Sequence, residues 1–534
     1  MVRQCDKGLF ARRVVYVVFQ SLLPIVSLRV LKALIDAVTA TIESGTASTE
    51  LPALIVTFVG LFFMQRVFSI LTSVNGDIMA QKLIDNISDK VQSQAATLDM
   101  SYYDSPSYHD TLQRAQQEIS ARPIQVVTNG MNLVGALISM IGIAAIVGSQ
   151  SWLLLVIIVA ATVPTAIIRF VKAHRIYTFR RSSTQTLRRT NYFGMLLTQK
   201  PSAAEIRTLR LSSFFRRQFV ESRSKIVAQL LAISRRLGWA DGISALFEAA
   251  ALVAVFAVML GQTTAGLMSV GSFVMVFEAV RRGMSYLQTA ATSASGLYDN
   301  RLFIGNLFEF LDLKPLITNS EDPIPFPSQV EEIEFCDVSF RYPDMERNVL
   351  SHFNFHARKG EITRLDGENG SGKTTAVKLL LRLYDPDEGV VKVNGRDLGR
   401  INIEQLRSSI GVMFQEFMRY NCTVTENIAF GAIHRPVDMT SVVAAATAAG
   451  IDKVIENLPD GYNTMLGRMF EGGAELSMGQ WQRLALARLL YANTQIMILD
   501  EPTAWIDHRS RENFNNLLES LKENKIIILI THTQ

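Results

Sequence analysis

A glycine-rich segment at residues 367–374 has the residue types and the spacing of a loop that holds phosphate groups. It runs Gly-Glu-Asn-Gly-Ser-Gly-Lys-Thr and fits the pattern G-x-x-x-x-G-K-[S/T] at every fixed position. Its glycines let backbone N–H groups turn inward around a polyphosphate, because a Cβ atom would block that approach. Lys373 supplies a positive charge for β- and γ-phosphates, and the Thr374 hydroxyl can join the shell of a bound Mg²⁺. The candidate phosphate-binding residues are Gly367, Asn369, Gly370, Ser371, Gly372, Lys373, Thr374 and Thr375.

The segments on both sides of this loop have the sequences of a strand and a helix, which flank phosphate-binding loops of this kind. Residues 360–366 are typical of a short strand, and residues 375–384 are typical of an apolar helix. A helix that begins at the loop adds the attraction of its N-terminus for phosphate. This strand–loop–helix context favours nucleotide binding over a glycine-rich turn that matches by chance.

A second segment whose residues could take part in catalysis is the apolar run at residues 495–502, which ends in two acids and a proline. The apolar residues predict a buried strand, and Asp500 then emerges where it can bind Mg²⁺ through water. Glu501 follows at once and is positioned to polarise an attacking water. Two solvated carboxylates are the alternative interpretation. Their pairing with the phosphate-binding loop favours catalysis.

The composition shows that these motifs occupy only part of the molecule. A chain of 534 residues is too long for one core and predicts at least two domains. It is 48% hydrophobic, and its long apolar runs lie in the first 300 residues or so. The three cysteines are far apart, which argues against a disulfide scaffold and fits a reducing compartment. The net charge of +4 gives no indication of nucleic-acid binding.

Apolar stretches long enough to cross about 30 Å of hydrocarbon recur along the first part of the chain. They lie near residues 13–40, 51–75, 123–148, 151–172, 241–261 and 267–297. Buried helices of a large soluble protein are the alternative, but the segment from Trp152 to Ile168 is apolar on all faces, which disfavours it. The sequence therefore predicts six transmembrane helices.

The connections between these spans predict which side of the membrane each end occupies. The short connections at 41–50, 149–151 and 262–266 contain no Lys or Arg, whereas the connections at 76–122 and 173–240 are long and polar, and the second of them is rich in arginine. Basic residues stay on the cytoplasmic side. We therefore expect a multi-pass protein of the cell membrane with its N-terminus, both long connections and its C-terminal domain in the cytoplasm.

Domain boundaries follow from the same pattern. We expect a transmembrane domain at 1–311 and a linker at 312–329 that is rich in proline. A nucleotide-binding domain follows at 330–534. The long cytoplasmic connections are too long for structureless loops, so we expect the membrane helices to continue through them. Short turns and helices are expected near residues 104–112 and 200–206.

Residues 476–480, Leu-Ser-Met-Gly-Gln, closely resemble the L-S-G-G-Q signature of ATP-binding cassette (ABC) proteins, and a helical segment follows them. The chain as a whole resembles an exporter-type half-transporter of that family. The resemblance implies a multi-pass α-helical membrane domain of six helices, followed by an α/β P-loop ATPase domain. The family has further strands and a helix beyond the last residues of this chain, so we expect the C-terminal end of the domain to be truncated.

The resemblance also implies roles for individual residues. Tyr342 matches the aromatic residue that stacks on adenine, and Gln415 matches the glutamine that senses Mg²⁺. Asp507 matches the end of the loop after the catalytic acid, and His532 matches the histidine that contacts the γ-phosphate. The implied catalytic residues are Glu501, His532 and Lys373. The implied Mg²⁺ shell is Thr374, Gln415 and Asp500. The implied signature residues that cap ATP are Ser477, Gly479 and Gln480.

In this family two cassettes meet head to tail, and the signature of one caps the ATP that the other holds. One chain therefore has half of each site, and a second half-transporter is the implied partner. A homodimer is favoured because this chain keeps every residue of its own ATP site except the signature glycine, which is Met478 here. A heterodimer with a related half-transporter stays open. Met478 adds a side chain where the backbone approaches phosphate.

The resemblance implies export of a solute across the lipid bilayer, driven by hydrolysis of ATP with Mg²⁺. An ATP-gated channel or regulator, and an importer built on the exporter architecture, stay open. The six spans count against a soluble ATPase that acts on nucleic acid, so we expect no nucleic-acid partner. A lipid, a peptide, an antibiotic or a drug-like molecule all fit as solute. The charged residues within the spans either contact such a solute or form structural ion pairs. They are Arg29, Arg66, Glu248, Glu278, Arg281 and Arg282.

Overall fold

The computed structural model describes residues 6–45, 49–105, 108, 112, 122–150, 152–343, 345–368, 370–502 and 508–531. These residues form two compact units. The first unit holds the described residues of Met1–Ala96 and Thr111–Asp312, and the second holds those of Thr97–Asp110 and Leu313–Gln534. The short segment 97–110 therefore belongs to the same unit as the C-terminal part of the chain.

The first unit consists of long helices, in agreement with its apolar sequence. In chain order the helices up to the linker are α1 (Lys7–Ser44), α2 (Leu51–Thr97), α3 (Met100–Asp104), α4 (Arg122–Gln150), α5 (Trp152–Ser182), α6 (Thr184–Thr198), α7 (Lys200–Thr208), α8 (Ser212–Thr264) and α9 (Val270–Leu311). Of these, α3 lies in the second unit. The short helix α7 covers the predicted helical segment near 200–206.

Each of the six predicted spans lies wholly or largely in one long helix, namely α1, α2, α4, α5, α8 or α9, with residues 267–269 of the last span preceding α9. Within the described residues, four helices are long and apolar enough to cross a membrane: α1, α2, α4 and α8. Apolar side chains on α2 are exposed, with Val56 72% and Phe62 67% exposed. Such side chains are costly in water and suited to a hydrocarbon environment.

The helices of the first unit pack through a core of interlocking apolar residues. Leu28, Ile143, Val255, Met259 and Val276 are all buried in it. Small and polar residues add hydrogen bonds between helices, as is common inside membranes. The buried Ser139 hydroxyl on α4 donates to the backbone carbonyl of Ser21 on α1 at 3.0 Å. The unit therefore holds its helices together by packing and by hydrogen bonds that are sheltered from water.

The second unit contains two four-stranded sheets among its described residues. The strands are β1 (Glu332–Phe340), β2 (Leu350–Arg358), β3 (Ile362–Asp366), β4 (Glu388–Val393), β5 (Arg396–Asp397), β6 (Ile410–Met413), β7 (Ile496–Asp500) and β8 (Ile526–Thr531). One sheet is antiparallel in the order β2-β1-β4-β5, and the other is parallel in the order β3-β8-β7-β6.

The parallel sheet brings the ends of distant strands to one edge. All five residues of β7 are buried, as the continuous apolar run predicts for a strand covered on both faces. Because β8 lies between β3 and β7, Asp366 pairs with Thr531 and Asp500 pairs with Ile530 at the same edge. The glycine-rich loop and the acidic pair both follow from this edge, where ligands bind in open α/β sheets.

Helices surround the two sheets and complete the unit. They are α10 (Lys373–Leu380), α11 (Ile403–Ser409), α12 (Val424–Ala429), α13 (Met439–Ala448), α14 (Asp452–Glu456), α15 (Met478–Ala492) and α16 (His508–Leu521). The helix that follows the signature, α15, buries Trp481 and Leu484 against the core that contains Met497 of β7. This packing fixes the start of α15, and with it the signature residues.

Candidate active site

The glycine-rich loop has a backbone that only glycine adopts at low cost. Gly370 has a φ of 81°, and Gly372 has a φ of 90°. A Cβ atom on Gly372 would also lie 2.6 Å from Leu350 Cδ2 and 3.0 Å from the carbonyl oxygen of Val349. Both the left-handed backbone and the close approach of β2 therefore require glycine at position 372. Asn369 lies outside the described residues.

Lys373 is the first residue of α10, and its side chain folds back over the loop. It is only 9% exposed, and its ammonium donates hydrogen bonds to the carbonyl oxygens of Gly367 and Glu368, the latter at 3.3 Å. This position places the cation in the concave side of the loop, at the N-terminus of a helix. An anionic oxygen is attracted there by the ammonium and by the helix dipole together.

The hydroxyl of Thr374 and the carboxylate of Asp500 meet beside the loop. Thr374 Oγ1 donates to Asp500 Oδ2 at 3.2 Å, although the two residues are 126 positions apart in the chain. Asp500 is 2% exposed at the end of β7. A hydroxyl and a carboxylate are hard oxygen ligands of the kind that Mg²⁺ prefers. The donor set at this point therefore fits Mg²⁺.

Glu501 follows Asp500 in a strained conformation and is held in place by two hydrogen bonds. Its φ is 48°, and its backbone N–H donates to the carbonyl oxygen of Ile530 at 3.2 Å. Its carboxylate accepts a hydrogen bond from the Gln415 side chain at 2.9 Å. A left-handed backbone at a residue other than glycine costs about 1–3 kcal/mol and is concentrated at functional sites. The strain turns the carboxylate out of the sheet edge, next to Gln415.

Tyr342 lies beside α10, the helix that follows the glycine-rich loop, and it belongs to a cluster of aromatic rings. Its hydroxyl is hydrogen-bonded with Thr375 Oγ1 at 3.1 Å, and its ring meets Tyr384 edge-on with centroids 5.3 Å apart. The ammonium of Lys378 lies 5.1 Å from the centroid of the Tyr342 ring. Sequence analysis missed this cation–π contact, since no motif marks Lys378. Stacking of Tyr342 on adenine stays a prediction.

The signature residues form a helix cap. Ser477 is the N-cap of α15, and its hydroxyl accepts from the backbone N–H of Gln480 at 3.3 Å. The Gln480 side chain accepts in turn from the backbone N–H of Ser477 at 2.8 Å. This reciprocal capping box has the sequence signal S-x-x-Q, which sequence analysis did not use. Met478 begins α15 and is 38% exposed.

The structure therefore brings together in one place the loop, Asp500, Glu501 and Gln415, and it places Ser477 and Gln480 at the start of another helix. Gly479 is the second residue of that helix. The predicted residues Asp507 and His532 lie outside the described residues. The roles assigned to the site residues in binding and hydrolysis stay predictions.

Segment 97–110 makes contacts within the second unit that sequence analysis did not predict. The Tyr384 hydroxyl donates to the carboxylate of Asp104 at the end of α3. Tyr102 donates to the carbonyl oxygen of Lys314 at 2.9 Å, and Asp99 accepts from the backbone N–H of Ile317 at 3.2 Å. Burial, together with the Asp104 carboxylate, raises the pKa of Tyr384, so this hydroxyl stays a donor. Segment 97–110 is thus fastened to the second unit.

Comparison with known proteins gives a consistent result. The ABC transporter family model matches residues 350–504. The subtilin transport ATP-binding protein SpaT of Bacillus subtilis is 26% identical over 99% of this chain and 85% of its own length. The nisin transport ATP-binding protein NisT of Lactococcus lactis subsp. lactis is 26% identical over 89% of this chain and 80% of its own length.

The solved structure of a bacterial Atm1-family ABC exporter with ATP bound superposes with a TM-score of 0.81 at 21% identity. The match covers 99% of this chain and 92% of that structure, so the two share their fold from end to end. Together with the ATP-site geometry and the apolar helices, these matches confirm the resemblance in sequence. Residues 350–504 thus match the ABC transporter family, and over most of its length the chain is similar to exporter-type half-transporters, whose ATP hydrolysis is coupled to transport.

Proposed function

We propose that two copies of this chain form a homodimeric exporter in the cell membrane, with a composite ATP site at each junction of loop and signature. The observation that carries the proposal is the meeting of Thr374 with Asp500 and of Gln415 with Glu501 beside the glycine-rich loop. One chain thus holds the loop half of a triphosphate site, with the groups proposed to bind Mg²⁺ and to activate the attacking water. A partner with a matching set is supplied most simply by a second copy.

The residues of this half-site have separable tasks. Lys373 neutralises charge on the β- and γ-phosphates, moving its ammonium from the loop carbonyls to phosphate oxygens. Thr374, Asp500 and Gln415 provide oxygen atoms for Mg²⁺, which would neutralise the phosphate charge that develops during transfer. Glu501 orients the attacking water and accepts its proton, with its carboxylate positioned by Gln415. His532 contacts the γ-phosphate.

The signature of the second copy completes the site. Ser477 and Gln480 hold the first turn of α15 in a fixed shape through their capping box. The N-terminus of this helix carries a partial positive charge that suits a γ-phosphate. Ser477, Gly479 and Gln480 therefore close over the nucleotide when two copies meet, and closure is coupled to the state of the γ-phosphate.

Closure is transmitted to the membrane helices through segment 97–110. Asp104 and Asp99 anchor this segment to Tyr384 and to the start of the linker. Since α2 ends at Thr97, a movement of the second unit carries the end of that helix with it. By resemblance to the family, we propose that the short helix α7 (Lys200–Thr208) also takes part in this transmission. The solute leaves the cytoplasm when the helices rearrange.

A test of this proposal is the Glu501→Gln variant, which keeps the shape of the side chain and removes the base. We expect ATP binding to be retained and the rate of phosphate release to fall by at least about 100-fold, in the range of a lost catalytic base. Glu512→Gln changes a carboxylate on α16, and it serves as the control with an unchanged rate. Hydrolysis at the native rate in Glu501→Gln overturns the assignment of the base.

A further inference from the structure

A cavity of about 460 Å³ lies between helices α1, α2, α4 and α9 of the first unit. Its lining includes two arginines, Arg13 and Arg66, and its described lining residues include no aspartate or glutamate. A wet cavity within spanning helices that carries only positive side chains is a place where an anion is stabilised. The cavity is therefore electrostatically selective for negative charge.

Arg13 is buried beside the cavity, and one of its hydrogen-bond donors has no partner. Its side chain is 6% exposed, and its Nε atom has no hydrogen-bond partner. The guanidinium lies against Gly76, where a Cβ atom would come within 2.5 Å of Nη1. Asp77 attracts this charge without lining the cavity. A buried guanidinium is costly unless negative charge lies near it, so an anion in the adjoining cavity would stabilise Arg13.

Gln65 adds a second buried donor to the same cavity. Its Nε2 atom is buried and has no hydrogen-bond partner. The two unpartnered groups, Arg13 Nε and Gln65 Nε2, both donate and neither accepts. Both nitrogen atoms lie beneath the surface of the cavity, so the preference for an anionic group, such as a phosphate or a carboxylate, follows from the charge of Arg13 and Arg66.

The other charged residues predicted within the spans do not compete for this role. Glu278 on α9 is paired with Arg281 at 2.7 Å and with Arg282 at 2.8 Å. Glu248 accepts a hydrogen bond from Gln288 at 3.1 Å. These groups are paired within the unit. For them the structure favours structural pairing over contact with a solute. Arg66 alone among the six faces this cavity.

Apolar residues line the same cavity beside the arginines. They include Val17, Phe62, Met131 and Tyr286. Phe62 is also 67% exposed, so the apolar wall of the cavity continues onto the surface of the unit. A molecule with an anionic head and an apolar tail matches both parts of the lining. A small anion matches only the arginines.

We infer that this cavity binds the anionic head group of an amphiphilic solute, with Arg13 and Arg66 on the head and the apolar wall on the tail. The inference rests on the proposed function, since it names the class of solute that the exporter moves. It concerns binding without ATP, however, so it stands or falls separately from the hydrolysis experiment with Glu501→Gln.

The experiment compares three probes on the full-length protein in an uncharged detergent, with dissociation constants measured by titration calorimetry in the absence of nucleotide. Oleoyl lysophosphatidate carries head and tail, monooleoylglycerol carries the tail alone, and glycerol phosphate carries the head alone. We expect oleoyl lysophosphatidate to bind at least about tenfold more tightly than either of the other two. Equal binding of the two oleoyl probes overturns the inference, and so does glycerol phosphate binding as tightly as oleoyl lysophosphatidate.

Variants then test the two arginines. Arg66→Gln and Arg13→Gln should each weaken oleoyl lysophosphatidate binding by about tenfold and leave monooleoylglycerol binding unchanged. Arg13→Lys keeps the charge if Arg13→Gln fails to fold, and it should retain part of the preference for the anionic probe. Arg29→Gln removes an exposed arginine from the same helix α1 and is the matched control. An equal loss in Arg29→Gln, or no loss in Arg66→Gln, overturns the inference.

Discussion

The two regions that one chain would contribute to the proposed composite ATP sites, the loop half and the signature half, are built differently. The loop half joins groups from distant parts of the sequence: Lys373 folds onto the loop, Thr374 meets Asp500, and Gln415 holds Glu501. The signature half is local, since Ser477 and Gln480 satisfy each other within one helical turn. The first arrangement carries chemistry in its side chains, whereas the second presents a rigid helix end. Loss of a side-chain group should therefore lower ATP hydrolysis more in the loop half than in the signature half.

The largest effect is expected for Lys373→Ala. The variant removes the buried ammonium that we propose binds the phosphates, and a hydrogen bond to a charged group is worth about 1.5–3 kcal/mol. We expect ATP affinity to fall by at least about tenfold and hydrolysis to be lost, as measured with a fluorescent ATP analogue and by phosphate release. Lys359→Ala, which removes an exposed ion pair with Glu331, should change neither. Native ATP affinity in Lys373→Ala would contradict the expectation that loss of a group has the larger effect in the loop half.

The next effect is expected for Ser477→Ala in the signature half. It removes an N-cap, which costs about 1 kcal/mol of stability, and it takes one hydroxyl from the composite site. We expect hydrolysis to fall by about tenfold while ATP affinity of the loop half is kept. Asp438→Ala removes the N-cap of α13 and is the matched control for lost capping. If both variants lose the same activity, Ser477 acts only through stability.

A smaller effect is expected for Tyr384→Phe, which keeps the ring against Tyr342 and removes the hydroxyl that bonds Asp104. We expect basal hydrolysis to stay near native while its stimulation by a transported solute falls several-fold, because segment 97–110 is held less firmly. Stimulation is read from phosphate release with oleoyl lysophosphatidate added. Asp104→Asn should reproduce the change. Full stimulation in both variants contradicts the coupling role of this contact.

The smallest effect is expected for Met478→Gly. This change removes a side chain, 38% exposed, from the helix end that approaches phosphate. We expect hydrolysis to rise by about two- to threefold, corresponding to less than 1 kcal/mol, because the backbone can come closer. Met478→Leu keeps the bulk and should leave the rate unchanged. A lower rate in Met478→Gly would show that the methionine itself contributes to closure.

Local signals explain why much of this site could be predicted from sequence. The glycine-rich loop and the acids of β7 are each contiguous, and both follow strands whose apolar runs are plain. A parallel sheet then brings their ends to one edge, so Thr374 and Asp500 meet without any further signal. The capping box of Ser477 also had a signal in its S-x-x-Q spacing, although the same residues were assigned to ATP alone.

Contacts that depend on packing between distant segments could not be predicted in the same way. Asp104 and Tyr384 are 280 residues apart, and neither stands in a motif that indicates the other. The cavity with Arg13 and Arg66 requires the mutual arrangement of four helices, which hydropathy does not encode. Periodicity predicted where the spans lie. Which of their charges are paired became clear only from the structure.

The most direct test of the central claim uses purified dimers of two differently tagged chains, compared by their rate of phosphate release. In one dimer, Lys373→Ala is on one chain and Ser477→Ala is on the other. In the second dimer, both changes are on one chain and its partner is native. Head-to-tail sharing leaves one intact site in the first dimer and none in the second, where one site keeps a native loop half opposite the Ser477→Ala signature, so we expect turnover to be about tenfold faster in the first. Turnover in the second dimer alone would show that each chain completes its own site.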